Sequence, residues 1–78
     1  MNYNTELEDI IRVVRRICTI LYGPVSQTNT ILVKDTNSHK VRQEIIEKMH
    51  DVDMRKLKYL DMAAYILDVG NDTLITLN

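Results

Sequence analysis

The residues that could support catalysis or metal binding are one cysteine, Cys18, two histidines, His39 and His50, and the short run His50-Asp51-Val52-Asp53. That run contains the imidazole and carboxylate groups of a general base or a metal site. The histidines are eleven positions apart, and neither belongs to a zinc or other metal-binding motif. Asp and His are also expected at a turn between two helices, as a cap and as a C-terminal positive charge. We therefore predict that the chain is not an enzyme, with no catalytic residues, no metal site and no cofactor.

Two groups of basic residues could contact phosphate. Each follows the expected start of a helix, where basic side chains oppose the helix dipole but free backbone N–H groups can bind an anion. The candidate nucleic-acid contacts are Lys40, Arg42, Arg55, Lys56 and Lys58. The alternative interpretation is that these charges serve solubility and pair with nearby acids, such as Asp51 and Asp53 beside the second group.

A third basic group, RVVRR, occupies the polar side of the first predicted helix. Arg12 has acidic neighbours at helical spacing, because Glu8 precedes it by four residues and Asp9 by three. Arg15 and Arg16 lack such a close acidic partner within the helix, so they are candidates to bind a carboxylate or phosphate of a partner. The alternative is a solvated helix face.

The overall composition limits the functions open to the chain. Its 78 residues carry ten basic and eleven acidic side chains, so no net positive field attracts nucleic acid or anionic lipid. A single cysteine excludes an internal disulfide. No apolar run approaches the ~18 residues of a membrane span, and the polar, acidic start does not resemble a secretory signal. These features predict a cytoplasmic, intracellular setting and no membrane partner.

The elements that would position these residues are three helices and two strands. Thr5-Glu6-Leu7-Glu8 has the pattern of a capping box, Gly23-Pro24 is a helix stop, and Asn37 or Ser38 can cap the next helix. The predicted elements are helix 5–22, strand 30–34, helix 38–50, helix 53–69 and strand 73–77, in a single domain spanning 1–78. This is an α+β, mainly α fold in the order α-β-α-α-β, with a short two-stranded ribbon.

This order resembles that of winged-helix domains, in which helix, strand, helix and helix precede a two-stranded wing. The predicted order lacks the last wing strand, so the resemblance lies in the order of elements alone. It implies a DNA-binding domain whose third helix enters the duplex groove. Here that helix would carry Lys58, Asp61, Tyr65 and Asp68 on its one exposed seam. Because phosphates would repel the two carboxylates, only the first turn would be left to read DNA.

The two long helices carry more apolar surface than the rest of the chain is expected to cover. Placed at ~100° per residue, the apolar residues of helix 5–22 fill an arc of roughly 200°. Helix 53–69 is apolar nearly everywhere outside its seam. A chain of this length also has a core of marginal stabilising power. We therefore predict a homodimer that buries part of both helices, with strand pairing between two chains as an aid.

The predicted function is that of a small, non-catalytic regulatory protein that acts by protein–protein interaction as a homodimer. Compact aliphatic chains of this kind are typical of accessory regulators of phages or mobile elements. The candidate partner-binding residues are Arg12, Arg15, Arg16, Lys58, Asp61 and Tyr65. The alternative is a dimeric winged-helix-like transcriptional regulator that binds duplex DNA through the five basic residues named above.

Overall fold

The described part of the chain folds into two α-helices, a 3₁₀ helix and a three-stranded sheet. The computed structural model describes residues 3–25, 28–60 and 64–77, with side chains from residue 7 onward in the first helix. In chain order the elements are α1 (Tyr3–Tyr22), β1 (Thr30–Val33), α2 (Ser38–Asp53), the 3₁₀ helix (Met54–Tyr59), β2 (Ala64–Val69) and β3 (Asp72–Leu77).

Local signals set the end of α1 and the start of α2. Gly23 follows α1 with a φ of 85°, the left-handed conformation that glycine adopts after a helix. Its N–H donates to the carbonyl of Thr19 at 3.0 Å. α2 is capped by Asn37, whose side-chain oxygen accepts from the backbone N–H of Lys40 at 2.8 Å. The predicted helix stop and the prediction of Asn37 as a cap are therefore confirmed.

The sheet is antiparallel with the order β1-β3-β2, so the last strand of the chain lies in the middle. β2 and β3 form a hairpin with Gly70-Asn71 as its turn. Gly70 has a φ of 62°, and Asn71 is not among the residues with positive φ. This is the pattern of a type II′ turn, whose twist matches that of the flanking strands. β1 pairs with the other side of β3, which places Leu32 beside Leu74.

The core lies between the two α-helices and the inner face of the sheet. Val41, Ile45 and Met49 lie on one side of α2 and are fully buried. Cys18 is fully buried on α1. The other buried apolar side chains are Ile10, Val14, Ile17, Ile31, Val33, Leu60, Ala64, Ile75 and Leu77.

The predicted fold class is wrong. Instead of three helices and a two-stranded ribbon, the structure has two α-helices, the second of which continues into the 3₁₀ helix, and a three-stranded sheet. The error lies in the predicted helix 53–69. α2 itself extends to Asp53, the 3₁₀ helix covers Met54–Tyr59, and Ala64–Val69 is strand β2.

The sequence of residues 64–69 has the pattern of a buried helix because both faces of the strand are apolar. Ala64 and Ile66 turn toward the core, whereas Tyr65, Leu67 and Val69 turn away from it. On a helical wheel these residues fill most of the circumference. The turn at Gly70-Asn71 connects two strands, and aromatic and β-branched residues favour a pleated conformation next to β3. Pairing with β3 therefore overrides the helical pattern.

Two expectations that depended on the third helix also change. The hairpin has both of its strands, so the strand that the predicted order lacked is present as β2. The long helix on which the winged-helix resemblance relied does not form, because its C-terminal part is a strand.

The apolar arc of α1 is also better covered than expected. Of its large hydrophobic side chains in the described part, Ile20 alone is exposed, at 51%.

Candidate functional site

Four of the seven exposed large hydrophobic side chains in the described chain lie on one surface, the face of the sheet turned away from the helices. They are Leu32 on β1 and Tyr65, Leu67 and Val69 on β2, with between 50% and 56% of their surface exposed. Successive side chains of a strand point to opposite faces, so every second residue belongs to this surface. The outer face consists of Thr30, Leu32, Tyr65, Leu67, Val69, Asp72, Leu74 and Thr76.

The strand register arranges the outer face in rows. Leu74 pairs with Leu32 on one side and with Leu67 on the other, and the three form the middle row, which we call the leucine row. Thr30, Thr76 and Tyr65 form the row on one side of it. Asp72 and Val69 form a pair on the other side. Directly opposite residues of paired strands lie within about 5.5 Å of one another, so the leucine row is a continuous apolar ridge.

The outer face is large for an exposed apolar surface on so small a chain. Half-exposed side chains of this size leave roughly 400 Å² of apolar area in contact with water when the partly buried Leu74 is included. Contiguous patches of about 300–600 Å² are the largest that typical monomers expose, and they are often functional. The one charged side chain among the strand residues of this face is Asp72, which lies at its end, where the exposed Lys34 directly follows β1. The surface therefore suits an apolar partner.

Two carboxylates of the hairpin hold the connection between β1 and α2. Asp72 Oδ1 accepts from the backbone N–H of Asp35 at 2.9 Å, where the chain turns with a φ of 58°. Asp68 lies on the inner side of β2 and accepts twice from Ser38, from the backbone N–H at 2.7 Å and from the hydroxyl at 2.9 Å. These two bonds lower the pKa of Asp68, because they favour its charged form. Asp68 therefore serves as a second cap of α2 rather than as a free carboxylate.

An open polar cleft of about 490 Å³ lies between this connection and the hairpin turn. Its lining residues are Asp35, Thr36, Asn37, Lys40, Gly70 and Asn71. It includes the start of α2, which we predicted as a phosphate contact. The backbone N–H groups of Ser38 and Lys40 are already bonded, to Asp68 and to Asn37. These two donors of the helix start are therefore not free to bind an anion.

The structure does not bring the five candidate nucleic-acid contacts together. Lys40 and Arg42 lie at the start of α2, whereas Arg55, Lys56 and Lys58 lie on the 3₁₀ helix beyond its end. A helix of 16 residues is about 24 Å long. Arg55 Nε lies 3.7 Å from Asp53 Oδ1, and Lys58 Nζ lies 4.9 Å from the centre of the Tyr59 ring. Both of these cations therefore have close neighbours on their own segment.

The three arginines of α1 have different surroundings. Arg12 forms an exposed ion pair with Asp9 at 3.5 Å, one of the two acids expected beside it. Arg15 Nη2 donates to the carbonyl of Thr28 at 3.1 Å, which ties α1 to the segment before β1. The Nε of Arg15 is buried without a hydrogen-bond partner. Arg16 is exposed. Arg15, which is half-buried, thus has a structural contact, whereas Arg12 and Arg16 are exposed.

The predicted seam of Lys58, Asp61 and Tyr65 does not exist as one helix face. Lys58 belongs to the 3₁₀ helix and Tyr65 to the outer face of β2. Asp61 lies outside the described residues. Of the predicted partner-binding residues that the structure describes, only Tyr65 lies on the outer face. Sequence reasoning missed the leucine row, although the turn residues Gly70-Asn71 between two apolar runs are a hairpin signal that could have revealed it.

The groups with intrinsic reactivity are buried or dispersed. Burial raises the pKa of the Cys18 thiol to about 12, so the nucleophilic thiolate is suppressed at neutral pH. Burial also raises the pKa of Tyr22, and the nearby charge of Glu44 adds to this effect. His39 and His50 lie near opposite ends of α2. Within residues 3–25, 28–60 and 64–77, no group of three or more His, Cys, Asp or Glu side chains could hold a metal ion.

Comparisons of the chain with protein-family models, with curated proteins and with solved structures found no match. Across the described ranges, no helix has both the length and the apolar character needed to cross a bilayer. The outer face is therefore the feature on which a functional interpretation can rest.

Proposed function

We propose that this protein is a non-catalytic interaction protein that binds another protein chain through the outer face of its sheet. The observation that carries the proposal is the exposure of Leu32 and Leu67 on either side of Leu74. The inner face of the same sheet is covered by helices. The outer face has the same apolar character along its middle row but no element of the described chain over it.

The exposed area supports binding of moderate strength. At ~25 cal/mol per Å², covering about 400 Å² of apolar surface corresponds to roughly 10 kcal/mol of gross hydrophobic gain. Association costs about 4–15 kcal/mol in lost translational and rotational freedom, so the net gain is much smaller. We therefore expect a reversible complex rather than a permanent one. This suits a small regulatory protein that exchanges partners.

The charges favour a protein partner over nucleic acid. The charged side chain among the strand residues of the outer face, that of Asp72, is negative and would be repelled by phosphates. The basic candidates lie about 24 Å apart at the two ends of α2, on other surfaces. The setting that we propose is intracellular, which agrees with a single, unpaired and buried cysteine.

The proposal can be tested with a photoreactive amino acid placed at Leu67 in cells of the native host. The matched control is the same amino acid at Met54, which is 62% exposed and lies on the 3₁₀ helix away from the sheet. We expect irradiation to give a discrete adduct from position 67 and none from position 54. The adduct should disappear when Leu32→Lys is added to the same chain. Absence of an adduct from position 67, or an equal yield from position 54, would refute the proposal.

A further inference from the structure

We propose that the occupant of the outer face is a second copy of this chain, packed sheet against sheet about a two-fold axis that runs along the leucine row. The inference rests on the proposed function, because it names the partner of the same surface. Two observations carry it. One is the arrangement of side chains in the three rows, and the other is the size of the face.

The row arrangement is self-complementary about this axis. A two-fold axis along the leucine row places each strand opposite the same strand of the second copy. The row on one side of the leucine row then lies opposite the row from the other side. The three leucines of one copy then meet the three leucines of the other. Val69 faces Tyr65 of the second copy on both sides of the axis, and Asp72 faces Thr76. The hydroxyl of Thr76 can donate to the Asp72 carboxylate, so this charge meets a hydrogen-bond donor.

Strands of two facing copies are also aligned by a two-fold axis parallel to the strands, and that arrangement would be unfavourable. An axis parallel to the strands keeps every row opposite itself, so Asp72 would meet Asp72 of the second copy in a water-poor interface. Like charges directly opposed in such a setting destabilise the association. The register of the sheet therefore selects the axis along the leucine row.

The size of the face matches a weak dimer. Three strands about 4.8 Å apart, two of six residues and one of four, form a surface of at most about 10 Å by 20 Å, measured between backbone positions. With side chains included, two such faces bury roughly 1,000 Å² in total, the lower limit for a specific interface. A net charge of −1 opposes self-association only slightly. We therefore expect a dissociation constant in the micromolar range.

Sedimentation equilibrium of the purified chain between micromolar and millimolar concentrations tests the dimer. We expect a reversible shift from 9.1 kDa to twice that mass. Leu67→Lys should weaken the dimer at least 100-fold, whereas Met54→Lys, an equally drastic change at an exposed apolar site, should leave it unchanged. Circular dichroism checks that both variants remain folded. A monomer at all concentrations, or equal loss in both variants, would overturn the inference.

Cross-linking tests the axis. In sheets packed about 10 Å apart, residue 74 of each copy lies opposite residue 74 of the other, but residues 76 are displaced by four residues, or roughly 17 Å in all. A short bismaleimide should therefore link Leu74→Cys dimers and leave Thr76→Cys chains unlinked, since Cys18 is buried. Equal linking of both variants would show the axis parallel to the strands and overturn the proposed arrangement.

The two proposals can fail separately. If the adduct from position 67 in cells has a mass other than twice that of the chain, the outer face binds a different protein. The function stands in that case and the homodimer does not. If position 67 gives no adduct, both fail.

Discussion

Replacing Thr73 with valine should destabilise the protein, although the two side chains have nearly the same shape. Thr73 is the only buried polar residue among those described, with 0% of its surface exposed, in the middle strand of the sheet. Its hydroxyl donates to the carbonyl of Thr36 at 3.0 Å. The hydroxyl of Thr36 lies 3.4 Å from Thr73 Oγ1 and 3.2 Å from the carbonyl of Val33. This cluster joins the β1–α2 connection to β3.

The size of the destabilisation follows from the group that Thr73→Val leaves without a hydrogen-bond partner. Thr73→Val leaves the partly buried carbonyl of Thr36 without its donor, and an unsatisfied buried partner costs about 1–3 kcal/mol. The added methyl group gains at most about 0.8 kcal/mol from burial. We expect a loss of about 1 kcal/mol in the free energy of unfolding. In a domain of this size, this corresponds to a Tm lower by about 4–8 °C.

The matched control is Thr76→Val, three residues along the same strand on the outer face. It should change the free energy of unfolding by no more than about 0.5 kcal/mol. Urea titrations of both variants in a Leu67→Lys background exclude any contribution from association. If Thr73→Val is as stable as its parent, or if both valines have the same effect, the hydroxyl of Thr73 contributes no net stability and the reasoning is wrong.

Three further predictions concern the ends of the elements and the core. Asp68→Ala should lower the Tm at pH 7, because Ser38 loses its acceptors. Since folding lowers the pKa of Asp68, its contribution is present above the ordinary value of about 3.9 and is lost as the pH falls through the lower folded value. The difference in Tm between wild type and variant should thus be constant from pH 7 to about 5 and shrink below about 4; a constant difference at all pH values would contradict this. Cys18 should resist a thiol reagent at pH 8 in the native state and react fully in urea, and equal rates would contradict its burial. Gly70→Ala should cost about 1–2 kcal/mol in urea titrations through backbone strain alone, since an added Cβ meets nothing within 4 Å, and Gly70→Asn should cost less.

The helices could be predicted because their signals are local. In α2, Val41, Ile45 and Met49 recur at a spacing of four, and Asn37 stands where a cap is needed. In α1, Gly23 takes the positive φ that its position after the helix requires. Each of these features depends on residues within a few positions of one another, so hydrogen bonding and side-chain spacing along one segment suffice to specify it.

The candidate site could be predicted only in part. Tyr65 was identified as an exposed partner contact and does lie on the outer face, but the reason given, a seam on a long helix, was wrong. Leu32 and Leu67 were assigned to a strand and to a helix, so nothing in their spacing indicated that they lie in one row. They belong to one row only because Leu74 pairs with both.

The amino-acid sequence by itself determined the two α-helices, with the stop at Gly23 and the cap at Asn37. Tertiary structure decided that residues 64–69 are a strand, that β3 lies between β1 and β2, and that three leucines form one exposed row. The physical reason is the range of the interactions. A helix satisfies its backbone hydrogen bonds within its own segment, whereas a strand depends on a partner strand, and for β1 that partner is about forty residues away.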